Sequence, residues 1–107
     1  MTKKKPSKRP PKETNLLEKV RQAMQSGDYL DVVHAQERQQ ERQITRPEYE
    51  YVLQTGFHEK AKDEFKPEYQ TWNYAIRGKT IDQRELRVIV TFEDGLLIIT
   101  VIDLESK

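Results

Sequence analysis

Three side chains suited to RNA cleavage lie four residues apart in a polar stretch of the chain: His34, Arg38 and Arg42. In a helix this spacing places an imidazole and two guanidinium groups along one face, each about 40° around from the last. Attack of a ribose 2′-hydroxyl on the adjacent phosphate needs a base, an acid and positive charge, and no metal. The stretch therefore predicts a catalytic face, with His34 as general acid or base and the two arginines as phosphate ligands.

The same stretch has a second interpretation. Glu37 and Glu41 lie one helical turn apart in it, and Glu37 directly precedes Arg38. Mixed charge of this kind is typical of a solvated helix face. The spacing alone leaves both interpretations open.

A second set of candidate RNA-binding residues lies in the predicted strands. Arg77 and Lys79 stand near the end of one strand and Arg87 opens the next, so a meander would make Arg77 and Arg87 near neighbours. Tyr74 adds a ring that could stack on a base. Each also has a structural interpretation, because charges at strand ends discourage edge aggregation and aromatic residues that alternate in a strand are often core.

Two helices must position these strands. In the first, over residues 13–27, Asn15 and Glu18 resemble a capping box and Gly27 supplies a left-handed stop. Its apolar residues recur at helical spacing and predict one buried stripe: Leu16, Leu17, Val20, Ala23 and Met24.

The second helix begins with a capping box of Thr45 and Glu48, has Pro47 in its first turn and ends at Gly56. Its predicted buried face is Tyr49, Val52 and Leu53. Between the two helices, residues 29–33 fit either a short strand or the entry to a further, polar helix that carries His34. That polar helix would dock through Val33, Ala35 and Ile44.

Extended patterns dominate after Phe57. Residues 57–62 predict a weak edge strand, and Pro67 breaks the polar connection that follows. Residues 71–79 alternate, with Trp72, Tyr74 and Ile76 on one face and Asn73, Ala75 and Arg77 on the other. Asp94 and Gly95 join two β-branched runs into a hairpin, which must lie at the centre of the sheet. We therefore predict an α+β fold with two to three helices packed on a four-stranded antiparallel sheet. His58, beside Glu59, is expected to be an exposed surface residue.

Composition limits the class of protein. The 107 residues form one domain by length, with 35% hydrophobic and 35% charged residues, which suits a thin two-layer structure. The chain has no cysteine, which excludes disulfides and thiolate metal sites, and its two histidines argue against zinc. No stretch approaches the roughly 18 apolar residues of a membrane span. We expect a cytoplasmic protein without metal or cofactor.

The net charge of +1 conceals an asymmetry. Residues 1–12 contain six basic residues, three prolines and no acid, whereas the remaining 95 contain 13 basic and 18 acidic residues. This composition predicts a disordered basic arm over residues 1–12 and a single domain over residues 13–107. The arm fits contact with nucleic acid, and it equally fits a tail that only keeps the protein soluble.

The run HAQERQQERQIT, followed by RPEYEYVLQTG and the closing strands, resembles the bacterial domain of unknown function 4258 family. Its members typically read His-Ala-x-x-Arg-x-x-x-Arg-x-Ile-Ser/Thr, and the resemblance covers residues 29–104. It implies a fold related to RelE-like toxins and similar metal-independent ribonucleases. The leading helix and basic start also resemble the motility quorum-sensing regulator toxins. The resemblance carries signature polar residues onto His34, Arg38 and Arg42, and a strand Arg-Gly pair onto Arg77 and Gly78.

We expect an RNA-interacting module, for which a metal-independent endoribonuclease of the toxin–antitoxin type is the candidate activity. Its expected partners are RNA and an antitoxin or another protein, with no membrane contact. Two alternatives remain open. One is a non-catalytic interaction or adaptor domain that binds a protein through a sheet edge or charged helix. The other is a helper whose basic arm alone touches nucleic acid. A basic concave face that joins His34 to the Arg77 strand favours the ribonuclease, and scattered charges favour the interaction domain.

Overall fold

The structure is a computed structural model, and it describes residues 9–33 and 44–105. Within these residues the helices are α1 (Leu16–Ser26), α2 (Arg46–Thr55) and a short 3-10 helix (Lys60–Lys62). The strands are β1 (Tyr29–Asp31), β2 (Phe57–His58), β3 (Glu64–Lys66), β4 (Thr71–Lys79), β5 (Glu85–Phe92) and β6 (Leu96–Asp103). The predicted polar helix, with His34, Arg38 and Arg42, lies outside the described residues.

Helix α1 buries the predicted apolar stripe, and its end confirms the role of Gly27. Leu16, Val20 and Met24 are buried. Gly27 adopts φ 79°, and its N–H donates to the Ala23 carbonyl over 2.9 Å. The predicted capping box at the other end is wrong. Asn15 is itself left-handed at φ 53° and its side chain makes no capping hydrogen bond, because an N-cap side chain reaches the first turn from an extended backbone.

Helix α2 follows the sequence prediction closely. Thr45 has an extended backbone, and its N–H donates to the Glu48 carboxylate over 2.7 Å. Tyr49, Val52 and Leu53 are completely buried, as the apolar pattern predicts. The helix ends at Gly56, whose N–H donates to the Val52 carbonyl over 2.7 Å.

Within residues 9–33 and 44–105 the sheet has six strands and is mixed, so the predicted four-stranded antiparallel sheet is wrong in detail although the α+β class is confirmed. Strands β4, β5 and β6 form the predicted antiparallel meander. Strand β1 adds to the outer edge of β6 in parallel, and β2 and β3 both pair with the outer edge of β4. The central strand is β5 in the order β1-β6-β5-β4-β2.

Three local differences separate this sheet from the predicted one, and two of them add a strand. Residues 29–31 are a strand, one of the two options that the sequence leaves open. The predicted edge strand over residues 57–62 shortens to Phe57–His58 and is followed by the 3-10 helix. The polar connection contributes β3, because Phe65 pairs with Trp72 and their rings make an edge contact with centroids 5.4 Å apart. The two added strands, β1 and β3, have three residues each, too few for a period to be recognised.

The hydrophobic core lies between the two helices and one face of the sheet. Val20, Val52 and Leu53 of the helices meet Ile76 and Val88 of the sheet in one buried cluster. The predicted faces of β4 are confirmed, because Tyr74 and Ile76 lie in this cluster and Arg77 does not. Ala75, on the same face as Arg77, is also fully buried but lies outside the cluster.

A close backbone approach brings the end of α2 onto β4. A Cβ atom added to Gly56 would lie 2.5 Å from the Arg77 carbonyl oxygen, and one added to Gly78 would lie 3.0 Å from the Gly56 Cα. Neither distance is compatible with a larger side chain unless the backbone moves. The two glycines therefore set the position of the helix end directly beside Arg77.

The opposite side of the sheet is not covered by α1 or α2, and we call it the open face. Its exposed apolar residues include Leu30 at 69% and Ile102 at 40%. The register places these residues on it: Asn73, Ala75 and Arg77 of β4, Arg87, Ile89 and Thr91 of β5, and Leu97 and Ile102 of β6.

Residues 9–12, which the sequence assigns to the arm, have a defined position against the sheet. The Trp72 indole N–H donates to the Pro10 carbonyl over 2.8 Å. The Arg9 guanidinium lies 5.2 Å from the centroid of the Phe65 ring, and the Lys12 ammonium lies 4.6 Å from that of Trp72. These are cation–π contacts, an interaction that the composition of the arm does not predict.

None of the helices within residues 9–33 and 44–105 has the length and apolar character required to cross a membrane.

Candidate nucleic-acid interface

The predicted neighbourhood of Arg77 and Arg87 is confirmed. The two residues are directly opposed in the register of β4 and β5, and both lie on the open face. They come together because β4 and β5 are consecutive strands of a meander with a short connection. Lys79 is two residues further along β4, exposed, and opposed to Glu85.

Two carboxylates hold the arginine pair. Arg87 Nε and Nη2 donate to the two oxygens of Glu59 over 2.7 and 3.2 Å. Arg77 Nη1 donates to Glu59 over 3.0 Å, and Arg77 Nε donates to Glu85 over 2.8 Å. The bonds from Arg87, then those from Arg77, lower the pKa of Glu59, and the bond from Arg77 lowers the pKa of Glu85. The four groups balance in charge, and the carboxylates fix the direction of both guanidiniums.

A concave surface adjoins the arginine pair on the open face. One cavity of about 370 Å³ is lined by Lys62, Lys66, Arg87 and Ile89, among others. A second cavity of about 520 Å³ continues from it and shares Lys66, Asn73 and Ile99 with the first. We call the two together the groove. Its floor is the sheet, and its far wall is the segment from the 3-10 helix to the start of β4.

Tyr74, a predicted base-stacking residue, lies on the other side of the sheet from Arg77. Tyr74 is only 3% exposed, and its hydroxyl accepts a hydrogen bond of 2.8 Å from the Glu13 N–H. Burial raises the pKa of this phenol. The structure therefore brings Arg77 and Arg87 together and separates Tyr74 from them.

His58 does not have the exposed position that the sequence predicts. Its side chain is only 12% exposed, and its Nε2 lies 2.8 Å from Asp63 Oδ2. The Asp63 carboxylate is completely buried and also accepts the Lys12 ammonium over 2.9 Å and the Ala75 N–H over 3.0 Å. Sequence reasoning missed this cluster because the 3-10 helix between His58 and Asp63 turns the chain back on itself. The proximity of the two residues in the sequence was the one available signal.

The predicted catalytic residues His34, Arg38 and Arg42 lie outside the described residues. The residues that flank this stretch are anchored in the core, since Val33 and Ile44 are both buried. Asp31, which precedes the stretch, accepts a hydrogen bond of 2.6 Å from the Tyr49 hydroxyl, and Arg46 Nε lies 3.4 Å from the same carboxylate. Within residues 9–33 and 44–105, no three His, Asp or Glu side chains are placed to hold a metal ion.

Helices α1 and α2 on one face of a mixed sheet, with the opposite face covered by neither of them, define a two-layer α+β protein. A family model described as "Domain of unknown function (DUF4258)" matches residues 33–103, and the chain belongs to this family. The matched region includes His34, Arg38, Arg42 and the Arg77–Arg87 pair. No curated protein and no solved structure matches the chain.

Proposed function

We propose that this protein is an RNA-interacting module of RelE-like type, whose open face binds an RNA strand. The observation that carries the proposal is the directly opposed pair Arg77 and Arg87 on the open face, beside a groove that Lys62 and Lys66 line. Guanidinium forks match phosphate oxygens, and two lysines line the groove beside them, Lys62 and Lys66, the latter paired with Glu64 over 3.1 Å. Lys79 lies at the end of the same strand and is the outermost phosphate contact of the proposal.

The carboxylates around the arginines are compatible with phosphate binding. A guanidinium has five N–H donors. Glu59 and Glu85 occupy Nε and one terminal nitrogen of Arg77, and Glu59 occupies Nε and one terminal nitrogen of Arg87. The other terminal nitrogen of each arginine makes no hydrogen bond within the described residues. The ion pairs thus hold one free terminal NH2 group of each arginine in a fixed direction for an anion.

Cleavage is the catalytic part of the proposal, and it belongs to His34, Arg38 and Arg42. The ribose 2′-oxygen bonds to phosphorus as its proton leaves to a base, and the bond to the 5′-oxygen breaks as that oxygen takes a proton from an acid. His34 serves as one of these two groups, and the arginines stabilise the charge on the phosphate. The products are a 2′,3′-cyclic phosphate and a 5′-hydroxyl end. A toxin role, with an antitoxin as protein partner, is consistent with such a reaction in the cell.

Binding is tested by titrating the full chain into labelled single-stranded RNA over about 50 to 200 mM salt. We expect Lys62→Gln to weaken binding and to reduce the slope of log affinity against log salt by about one. Lys60→Gln is the matched control, because Lys60 belongs to the same 3-10 helix but does not line the groove. Equal effects of the two substitutions, or no salt-dependent binding, would contradict the proposal.

Cleavage is tested by inducing the protein in a bacterium and mapping RNA ends. The parent chain should arrest growth and leave fragments with 5′-hydroxyl ends, and His34→Ala and Arg38→Ala should relieve both effects. Gln39→Ala, in the same stretch, is the control that should retain them. Unchanged growth and intact transcripts with the parent chain would reject cleavage. RNA binding would then be decided by the titration alone.

A second candidate is a non-catalytic interaction domain, and the exposed aliphatic residues of the open face favour it. Leu30 and Ile102 are aliphatic and yet 69% and 40% exposed. The Arg77–Arg87 pair is neutral in total charge together with Glu59 and Glu85. A protein partner would cover such a surface through apolar burial with little dependence on salt. This candidate predicts no RNA binding in the titration above and self-association or partner binding that Ile102→Asp abolishes, measured by sedimentation.

A further inference from the structure

The wider half of the groove has the features of a pocket for an unpaired nucleobase. Tyr69 lies in its lining and is 67% exposed, in the turn that joins β3 to β4. The turn is held by hydrogen bonds from the Tyr69 N–H to the Lys66 carbonyl (3.1 Å) and from the Gln70 N–H to the Pro67 carbonyl (3.2 Å). Tyr69 is therefore an exposed aromatic ring on an ordered turn beside the groove.

The remainder of this pocket supplies an apolar floor and polar edges. Leu97 and Ile99 form part of the floor, and Asn73 offers an amide. Glu68 and Glu93, both exposed, line the same cavity and place carboxylates at its rim. Its volume of about 520 Å³ admits a base with room for its sugar.

We propose that this pocket binds one base of a single-stranded RNA against Tyr69 while the adjoining phosphates lie on Lys62 and Lys66. The proposal rests on the RNA binding proposed above and names the form of RNA recognised. The charge of each cavity decides which part of the strand it takes. The cavity beside Arg87 is lined by Lys62, Lys66 and one carboxylate, Glu64, whereas the Tyr69 cavity is lined by Lys66 and two carboxylates, Glu68 and Glu93. Bases in a duplex are stacked and paired, so only an unpaired base can enter.

The carboxylates also select the kind of base. Cytosine, adenine and guanine present exocyclic amino groups, which donate hydrogen bonds to a carboxylate. Uracil has carbonyl oxygens in place of these amino groups. A carbonyl oxygen cannot donate a hydrogen bond to the carboxylate of Glu68 or Glu93. We therefore expect the pocket to prefer oligo(C) and oligo(A) over oligo(U).

The experiment compares the full chain and variants with labelled homopolymers of about twelve nucleotides and with a duplex. We expect Tyr69→Ala to weaken binding of oligo(C) about tenfold and Tyr69→Phe to retain it, because stacking needs the ring and not the hydroxyl. Tyr51→Ala is the control, since Tyr51 is an exposed tyrosine of α2 that does not line the groove. The double variant Glu68→Gln and Glu93→Gln should reduce the preference over oligo(U).

The outcomes separate this inference from the proposal on which it rests. Binding that depends on Lys62 but is indifferent to Tyr69 and to base identity would overturn the base pocket and leave the RNA proposal intact. Duplex bound as tightly as single strand would overturn it equally. No binding of any RNA by the parent chain would overturn both.

Discussion

Arg87 holds Glu59 with two hydrogen bonds of 2.7 and 3.2 Å, and this contact ties the centre of the sheet to the loop that follows β2. Glu59 also accepts Arg77, so one carboxylate joins two strands of the open face. These contacts with Glu59 orient both guanidinium groups. They can be tested by substitution because Glu59, Arg77 and Arg87 are all only partly buried.

The pH dependence of stability should report this contact. Both arginines lower the pKa of Glu59 in the folded chain, Arg87 more than Arg77. A carboxyl with a lowered folded pKa stabilises the fold above its unfolded pKa, and the contribution disappears as pH falls through the folded value. The free energy of unfolding, measured with denaturant between neutral and acidic pH, should therefore fall below about pH 4.5. Glu59→Gln should remove part of that dependence, and an unchanged pH profile would show that the contact does not contribute.

The buried carboxylate of Asp63 should matter more for stability than any other acidic residue of the loop. It is completely buried and receives Lys12, His58 and the Ala75 N–H. Asp63→Asn removes the charge that pairs with Lys12 and should destabilise the fold by about 2 to 4 kcal/mol. Lys12→Met should cost less, because that ammonium is partly solvated. Thermal or urea unfolding checks both values, and the reverse order would contradict the assignment of Asp63 as the centre of the cluster.

The contact between Gly56 and Arg77 predicts a steric effect. Gly56→Ala would place a methyl group 2.5 Å from the Arg77 carbonyl oxygen, so the end of α2 or β4 must move, at about 1 to 3 kcal/mol. Gly27→Ala is the comparison, because nothing lies within 4 Å of its added Cβ and only the left-handed backbone opposes it. We expect that cost to be about 1 kcal/mol. Denaturant unfolding distinguishes the two, and only Gly56→Ala should also perturb the backbone signals of Arg77.

Local sequence patterns predicted the helices and strands that position the site. They did not predict which strands distant in sequence pair with one another. Alternation correctly assigned the two faces of β4, and the Asp94-Gly95 signal correctly predicted the hairpin, although its connection is one residue longer because β5 ends at Phe92. The opposed arginines followed from the meander. The parallel pairing of β1 with β6 did not, because a three-residue strand acquires its partner only from the tertiary fold.

The partners of the candidate residues were less predictable than their positions. Arg77 and Arg87 meet Glu59 across 18 and 28 residues of sequence, and no spacing rule connects them. His58 was wrongly expected to be exposed for the same reason, since its side chain pairs with Asp63, a carboxylate that also binds Lys12 of the arm. Side-chain partners of this kind depend on where the loop of residues 59–63 lies against β4, and composition carries no information about that.

Neutralising the carboxylates distinguishes a binding role of the arginine pair from a purely structural one. If Arg77 and Arg87 contact phosphate, Glu59→Gln removes a competing anion and should strengthen RNA binding several-fold at low salt, with a salt slope steeper by about one. Glu18→Gln is the control, because Glu18 is an exposed carboxylate of α1 that does not line the groove. Fluorescence anisotropy at several salt concentrations measures both quantities. If the ion pairs serve only the fold, Glu59→Gln should lower stability with no gain in affinity, and the arginines would then be structural residues beside a groove that binds through its lysines alone.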